Sequence, residues 1–195
     1  MGLEVDAASP ISYGSGFMQI PTVTTERLTL RAPEAGDFPL YRGFYADPQG
    51  SRFYGGPLRA ELAWRKLSHD IGHWALRGFG MWTVIDRESG RGVGGCGIVW
   101  PEGWPRHELT WWIVPAARRR GYALEASRAA IDWAGGTLGW TGVETHMDDG
   151  NSAARALAER LDGEVIARER FPDGLSRNIY LLPVASSRKL RASKS

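Results

Sequence analysis

The sequence predicts an α/β protein in which a mixed sheet of about seven strands carries four helices on its faces. Two observations support this prediction. In the first half, apolar and polar residues alternate in short runs joined by hairpin-type turns, which favours antiparallel pairing. In the second half a helical segment connects two apolar strands, and such a connection gives a right-handed crossover to a parallel strand. We therefore expect an antiparallel N-terminal part and one parallel pair.

The individual elements follow from the spacing of apolar residues. Leu28 and Leu30 alternate with polar neighbours, which indicates a half-buried strand, and Pro39 is expected as an irregularity within the first helix. The predicted elements are, in order, a strand over 25–31, helices over 34–46 and 59–76, strands over 80–86, 92–100 and 107–114, a helix over 121–138, a strand over 141–147, a helix over 152–161, and strands over 164–169 and 177–182.

The composition is that of one globular unit. The chain has 195 residues, of which 43% are hydrophobic and 24% charged, and its formal net charge is only +2. No apolar run reaches the roughly 18 residues of a membrane span, and so small a charge argues against bulk binding to nucleic acid. We expect a mobile leader over residues 1–20, one domain over 21–184 and a disordered tail over 185–195.

Two features bear on the cellular location. The single cysteine, Cys96, excludes an internal disulfide and every multi-cysteine zinc site. Residues 1–17 lack the basic start and the apolar stretch of a secretory signal. We therefore expect a cytoplasmic protein.

The most informative stretch is the turn between a strand and a helix at residues 111–126. An apolar run stops at Pro115, the arginines Arg118, Arg119 and Arg120 follow, and Gly121 opens a helix. The first N–H groups of a helix have no internal partner and its dipole is positive there, so this junction is suited to bind an anion. Gly121 lets an anion approach the backbone, and arginine adds positive charge. The alternative is a surface loop with solvated arginines.

Two other motifs lack the context that their usual functions need. Residues 92–97 read G-x-G-x-x-G, but they follow a hairpin turn and continue as a strand, whereas a dinucleotide site requires a helix after the glycines. His69 and His73 have the spacing of zinc ligands on a helix, but no third ligand is evident and Gly72 weakens the helix. No metal is therefore expected.

Glu108 and Asn151 are the side chains most suited to chemistry. Glu108 lies on the strand that leads into the anion-binding turn, so its carboxylate would face a ligand held there; the alternative is a solvated strand residue. Asn151 begins the last helix, where it can cap the helix or aim its amide at the same ligand.

A series of motifs in a fixed order resembles the GNAT superfamily of N-acetyltransferases. The segment from Val114 through Arg118 and Gly121 to Ala123 resembles its Q/R-x-x-G-x-G/A motif, and residues 25–31 look like the opening strand of the ribosomal-protein acetyltransferase-like (RimJ/RimL type) branch. Further segments that match in the order of that branch are 78–84, 94–97, 108–112, 121–126 and 151–155. The resemblance covers residues 22–184 and implies a GNAT-like fold whose parallel strands splay around a cofactor.

The resemblance also implies acetyl-coenzyme A as the acyl donor. Its pyrophosphate would rest on the backbone N–H groups of residues 118–124, its pantetheine arm would pair with the backbone of residues 112–114, and Asn151 would contact the arm near the thioester. The residues implied in cofactor binding are thus Trp112, Ile113, Val114, Arg118, Arg119, Arg120, Gly121, Tyr122, Ala123, Leu124 and Asn151.

The chemistry requires a neutral amine to attack the thioester. Glu108 is the expected general base, acting through water, and strand amides near Ile113 would stabilise the oxyanion. The general acid is unassigned, because Ala158 stands where many members of the superfamily have a tyrosine, and Ala154 replaces the serine of the asparagine motif. Ser152 and Tyr180 are weak candidates for that role. Aromatic walls for the acceptor are expected among Phe53, Tyr54, Trp64, Trp74, Trp100 and Trp104.

The leading hypothesis is an N-acetyltransferase that moves an acetyl group from acetyl-coenzyme A to a primary amine, by direct attack in a ternary complex. The acceptor would be a small molecule or a protein N-terminus, with no nucleic acid and no membrane as partner. The alternative is a non-catalytic module that binds or senses acyl-coenzyme A, and a weaker one is nucleic-acid binding through residues 118–120. The residues leave open the acceptor, the strict choice of acetyl, and the oligomeric state, with a homodimer as one option.

Overall fold

The computed structural model of this chain describes residues 19–185. The predicted leader over residues 1–20 and the predicted tail over 185–195 lie outside the described residues, apart from positions 19, 20 and 185.

Eight strands and four α-helices make up the described part of the chain, which confirms the α/β class and the helix count. The strands are β1 (Val23–Thr24), β2 (Leu28–Arg31), β3 (Met81–Asp86), β4 (Gly92–Val99), β5 (Glu108–Ile113), β6 (Gly142–His146), β7 (Glu164–Arg170) and β8 (Ser176–Pro183). The helices are α1 (Phe38–Ala46), α2 (Ala60–Arg77), α3 (Tyr122–Thr137) and α4 (Ser152–Arg160). The strand beyond the expected seven is the two-residue β1.

The first helix differs from the expectation at its start. A 3₁₀ turn over Ala35–Asp37 precedes α1, which begins at Phe38. Pro39 therefore lies in the first turn of α1 and does not interrupt it. Proline is tolerated there because the N–H groups of a first helical turn have no partner in the helix.

The strands form two antiparallel sheets. One has the order β1-β2-β3-β4-β5 and the other the order β6-β8-β7. The expected parallel pair is β5 with β6, where the two sheets lie side by side. Contacts run in the same order along both strands, from Glu144 N to His107 Nε2 at 3.0 Å and from Thr145 Oγ1 to Leu109 O at 2.8 Å. Within residues 19–185 no backbone ladder joins β5 to β6, so the parallel pair is splayed open.

Two apolar clusters hold these elements together. The larger one packs α3 and α4 against the two sheets, with Leu28, Trp82 and Ile131 fully buried. The smaller one packs α1 and α2 against the other face of β5, around the ring of Trp112, whose centroid lies 4.6 Å from that of Phe44. Large aromatic rings supply much of the buried apolar area, which accounts for the many tryptophans. None of the described helices combines the length and the apolarity that crossing a membrane requires.

The glycines of β4 have a packing role. A Cβ built at Gly94 would lie 2.0 Å from Trp112 O, and one built at Gly97 would lie 2.1 Å from Gly80 O. Neither position can accept a side chain while the neighbouring strands stay where they are. The G-x-G-x-x-G run of residues 92–97 is therefore explained by close strand packing, and it lies within a strand as expected.

Candidate active site

The N-terminus of α3 opens into a cavity of about 480 Å³, which we call the α3 cavity. Gly121 is the N-cap and adopts the left-handed conformation, with a φ of 83°. The helical hydrogen bonds start with Glu125 N to Gly121 O at 3.1 Å, so the amides of residues 122–124 precede the ladder. The cavity is lined by Gly121, Tyr122, Ala123 and Leu124 among others. Its mouth therefore has the free donors and the positive dipole end that bind anions.

The three arginines of the turn have different surroundings. Arg118 is exposed and lines the cavity, and its side chain is tied to the protein by Nε donating to Ile113 O at 2.9 Å and by a second nitrogen donating to Gly50 O at 3.2 Å. Arg119 is exposed, lines the cavity and has a φ of 62°. Arg120 is exposed but does not line the cavity, and its carbonyl accepts from Arg27 at 2.8 Å. Arg118 and Arg119 thus line the cavity together with the helix amides, and Arg120 does not.

Along β5 the backbone N–H and C=O groups of successive residues are directed alternately toward β4 and toward the splay between β5 and β6. The amide of Val114 donates to Val93 O at 2.9 Å, and Trp112 O lies against Gly94, so the backbone of both residues is directed toward β4. Neither Trp112 nor Val114 lines the α3 cavity. The side chain of Trp112 is buried in the smaller apolar cluster.

Trp111 and Ile113 face the splayed side of β5, and both line the α3 cavity. The hydroxyl of Tyr54 donates to Trp111 O, and Arg118 donates to Ile113 O. In an extended strand the N–H of a residue is directed to the same side as its carbonyl, so the amides of Trp111 and Ile113 are directed into the splay. Of the three β5 positions expected to contact the cofactor, the structure places only Ile113 in the cavity, and it adds Trp111.

A second cavity of about 310 Å³ lies at the other side of the splay, and we call it the Glu108 cavity. Its walls come from the segment between α1 and α2, from β5, from the end of β6 and from β8. The two cavities meet, because six residues line both: Arg52, Phe53, Tyr54, Trp111, Asn151 and Ala154. The two cavities are therefore neighbours along the splayed side of β5.

Glu108 and His146 form a pair inside the second cavity. Glu108 Oε2 lies 3.3 Å from His146 Nε2, with the two side chains 23% and 4% exposed. The imidazole packs on the ring of Phe171, with a centroid distance of 4.2 Å. His146 ends β6 and Glu108 begins β5, so the splay of these two strands places both groups at the same opening.

The contacts of His146 indicate where the proton of this pair lies. Trp104 Nε1 is 3.4 Å from the same Nε2 atom, and an indole N–H can only donate, so this nitrogen acts as an acceptor. An ionised carboxylate facing a bare ring nitrogen would be repelled by its lone pair. A protonated Glu108 competes with the indole for the single in-plane lone pair of this nitrogen, so only one of the two donors is bonded to it at a time.

The pKa shifts of the pair agree with that assignment. Burial raises the pKa of Glu108 to about 8, against the opposing charges of Arg177 and Lys66. Burial, together with the charge of Arg177, lowers the pKa of His146 to about 4, with Asp173 acting in the opposite direction. Near pH 7 both groups are therefore uncharged in most molecules. Glu108 loses its proton when the pH becomes mildly alkaline.

The remaining site candidates are divided between the cavities and the rest of the molecule. Asn151 lines both cavities, and its Oδ1 caps α4 by accepting from Ala154 N at 3.1 Å, so its amide N–H groups are left for a ligand. Ser152 and Tyr180 line neither cavity, and Ala158 is fully buried in the larger cluster.

The aromatic residues expected to form the acceptor walls are also divided. Phe53, Tyr54 and Trp104 line the Glu108 cavity, and Trp64, Trp74 and Trp100 do not.

Two other histidines have structural roles. His73 Nε2 accepts from Trp100 N at 2.8 Å while its Nδ1 contacts Phe79 O at 2.7 Å, so both nitrogens are engaged. His107 Nε2 accepts from Glu144 N at 3.0 Å. The spacing of His69 and His73 therefore reflects packing. Across residues 19–185 no group of three or more His, Cys, Asp or Glu side chains is arranged to hold a metal ion.

His146 is the functional candidate that the sequence reasoning missed. A signal was present, because it is a titratable residue at the end of the strand that was expected to splay from β5. The pairing with Glu108 depends on how two strands distant in sequence are placed side by side, and no local pattern reports that.

Comparisons with known proteins agree with this geometry. A family model described as an acetyltransferase (GNAT) domain matches residues 27–164. An acetyltransferase from Agrobacterium tumefaciens C58 is 34% identical in its crystal structure, with a TM-score of 0.75, covering 87% of this chain and 98% of that one. The uncharacterized protein YkkB of Bacillus subtilis is 28% identical over 148 residues, which cover 71% of this chain and 83% of YkkB.

A more distant likeness concerns the fold alone. RimL, a ribosomal L7/L12 α-N-protein acetyltransferase solved in complex with coenzyme A, is 13% identical with a TM-score of 0.69, covering 84% of this chain and 98% of its own. The family match extends over most of the present chain and includes β5, the turn at Gly121 and Asn151. The chain therefore belongs to the GNAT acetyltransferase family and is an acyltransferase of the N-acetyltransferase type.

Proposed function

We propose that this protein transfers an acetyl group from acetyl-coenzyme A to a primary amine, by direct attack while both substrates are bound. One observation carries the proposal. Two cavities meet at six shared residues, one of them with a helix N-terminus at its mouth and the other with a buried carboxyl group. The first suits a phosphorylated acyl donor and the second suits an amine that must lose a proton.

The α3 cavity fits acetyl-coenzyme A. The amides of residues 122–124 would bind the pyrophosphate, and the exposed guanidinium of Arg119 would add a screened charge at the rim. The amides of Trp111 and Ile113 would bind the pantetheine arm, and the amide group of Asn151 would contact it from α4. This arrangement brings the thioester to the junction of the cavities.

Glu108 is proposed to take a proton from the amine through a bound water. A lysine amine is neutral in only about one molecule in 2,500 at pH 7, and an α-amino group in about one in seven, so a base is needed most for lysine. The raised pKa of Glu108 lies near the working pH, which suits this task. The carboxylate is then basic enough to accept a proton, and a usable fraction of the molecules carries it in the ionised form. His146 Nε2, 3.3 Å from the carboxyl group, would contact Glu108 mainly in its protonated form.

The oxyanion of the tetrahedral intermediate would be stabilised by a β5 amide near Ile113. The nitrogen lone pair forms the new C–N bond, the carbonyl oxygen takes the charge, and the C–S bond then breaks with its electron pair on sulfur. Such fixed donors contribute about 3 kcal/mol in acyl transfer because they need no reorganisation.

The acceptor is proposed to be a small molecule or a protein N-terminus. The Glu108 cavity, with a volume of about 310 Å³, holds a small molecule or the first residue of a chain. Trp104, Phe53 and Leu175 supply apolar wall, and Arg52 and Arg177 supply cationic groups. Assignment to the RimJ/RimL branch would favour the protein N-terminus.

The test is release of free thiol from acetyl-coenzyme A across a panel of amines. With an active amine, Glu108→Gln is expected to lower kcat by about 10²-fold or more while coenzyme A binding is unchanged. Glu102→Gln is the matched control, because Glu102 is exposed, pairs with Arg77 and lines neither cavity. Turnover that is unchanged in Glu108→Gln would remove Glu108 from the role of base.

A non-catalytic acyl-coenzyme A sensor is the second candidate. Its support is that Glu108 is mostly protonated near neutral pH and that neither Ser152 nor Tyr180 reaches the cavities. Tight binding of acetyl-coenzyme A without thiol release, across α-amines, lysine peptides and small amines at pH 7 and pH 9, would favour this candidate.

A further inference from the structure

Tyr54 occupies the junction of the two cavities. It lies in the segment between α1 and α2, where its ring packs edge-on against Phe44 with a centroid distance of 5.3 Å. Its hydroxyl donates to Trp111 O, on the splayed side of β5. Among the six residues that line both cavities, Tyr54 is the only one with a hydroxyl group.

The position of the reacting bond follows from the position of the junction. If the donor occupies the α3 cavity and the amine occupies the Glu108 cavity, the amine nitrogen and the acyl carbon meet where the cavities join. The sulfur is bonded to that carbon, so it lies there too, on the side of the α3 cavity. The hydroxyl of Tyr54 is bonded to Trp111 O, two residues before Ile113 on the same strand.

We propose that Tyr54 donates a hydrogen bond to the sulfur of coenzyme A as the thiolate leaves. This inference rests on the proposed acetyl transfer. When the C–S bond breaks, its electron pair stays on sulfur and the O–H of Tyr54 turns from the carbonyl of Trp111 to that sulfur. The tyrosine keeps its proton. The thiolate later takes a proton from solvent, while the proton removed from the amine leaves through Glu108, so protons and charges balance.

A hydrogen bond, and not proton transfer, is the chemistry that this tyrosine can supply. A thiol has a pKa near 8.5 and a free tyrosine near 10, so transfer from tyrosine to thiolate is already unfavourable. Burial raises the pKa of Tyr54 further, with the charge of Glu108 acting in the same direction. A neutral O–H facing an anion forms a strong, charge-assisted hydrogen bond without any transfer.

The direct test is the acidity of the thiol in bound coenzyme A, which requires no knowledge of the acceptor. The thiolate absorbance of the protein–coenzyme A complex is titrated against pH for the wild type, for Tyr54→Phe and for Tyr45→Phe. Tyr45 is the matched control, because it also has a buried hydroxyl and a raised pKa but lines neither cavity. The bound thiol is expected to have a pKa about one unit higher in Tyr54→Phe than in the other two proteins.

Equal thiol pKa values in the wild type and Tyr54→Phe would overturn the proposal. If the wild type binds no coenzyme A, the proposed function fails and this inference fails with it. If coenzyme A binds and amines are acetylated but the thiol shift is absent, only the role of Tyr54 is lost.

A kinetic split separates this role from a merely structural one. If Tyr54 donates a hydrogen bond to the leaving thiolate, it contributes to kcat. Tyr54→Phe should then lower kcat about tenfold or more at saturating substrates and leave the Kd for coenzyme A unchanged. If the hydroxyl only ties its loop to β5, the variant should instead have a raised Kd and a wild-type kcat at saturation, and that result would also overturn the proposal.

Discussion

The α3 cavity and the Glu108 cavity are built in different ways. Most of the anion-binding part of the α3 cavity comes from one short segment, residues 117–119 and 121–124, which supplies both the amides of the helix N-terminus and two arginine side chains. The Glu108 cavity draws its polar groups from several separate elements, and these groups are side chains: Trp104, Glu108, His146, Asp148 and Arg177. Binding of the donor can therefore be encoded locally, whereas the groups that handle protons depend on the tertiary fold.

The largest expected effect tests whether the α3 cavity relies on its backbone. Gly121 has a φ of 83°, and a Cβ there would lie 3.2 Å from the guanidinium of Arg27. Gly121→Glu places a strained, negatively charged side chain at the amides, so the Kd for coenzyme A should rise by about 10²-fold, and Arg119→Ala should raise it only a few-fold. Isothermal titration calorimetry measures both.

Gly121→Gln is the matched control for that experiment. It has the same size and the same backbone strain as Gly121→Glu but no charge, so its Kd should fall between those of the wild type and the glutamate variant. Equal losses in Arg119→Ala and Gly121→Glu would show that guanidinium charge, and not the helix amides, holds the pyrophosphate.

The next effect tests whether the Glu108 cavity is the one that titrates. The pKa of Glu108 is about 8, so the ionised fraction of this base rises about tenfold between pH 7 and pH 9. The ratio of kcat/KM for the wild type to that for Glu108→Gln should rise by the same factor, because ionisation of the amine affects both proteins equally. A ratio that does not change with pH would mean that the titrating group lies elsewhere.

The smallest expected effect concerns the loss of folding stability caused by ionisation of the Glu108 carboxyl group. Glu108 keeps its proton up to about pH 8 in the folded protein, but loses it near 4.5 in the unfolded chain. The folded state is therefore destabilised progressively as pH rises from about 4.5 to about 8, and no further above that. Glutamine avoids this cost, so Glu108→Gln should raise Tm by about 3 °C or more at pH 9 and by less at pH 6.

Melting curves at the two pH values check this prediction. A gain in Tm that is equal at pH 6 and pH 9 would reflect packing instead of charge. A loss at both values would mean that the carboxyl group forms stabilising contacts that glutamine cannot replace.

Local sequence patterns predicted a helix or strand well where a capping residue or a turn marks the end of that element. The helix expected over 152–161 is α4, and its start follows from the capping side chain of Asn151. The strands expected over 80–86 and 92–100 are β3 and β4, joined by the turn expected between them. These features depend on neighbouring residues, so one sequence is sufficient to find them.

The features that sequence did not predict depend on how distant strands meet. The register of β5 against β4, which pairs Trp112 with Gly95, decides whether the backbone groups of Trp111 or those of Trp112 are directed into the splay. The contact of Glu108 with His146 and the position of Tyr54 on β5 arise in the same way. Tyr54 was expected only as one of several aromatic wall residues, because its hydroxyl acquires a partner only in the folded chain.

The glycines of β4 have a consequence for anyone who maps tolerance to substitution along this chain. A saturation mutagenesis screen would find Gly94 and Gly97 nearly immutable, because the backbones of β5 and β3 leave no space for a Cβ. That intolerance would coincide with a glycine pattern typical of nucleotide-binding proteins, although neither residue lines the α3 cavity or the Glu108 cavity. The screen would thus locate close interstrand packing, and the residues that handle the substrates would have to be found by assays that separate folding yield from turnover.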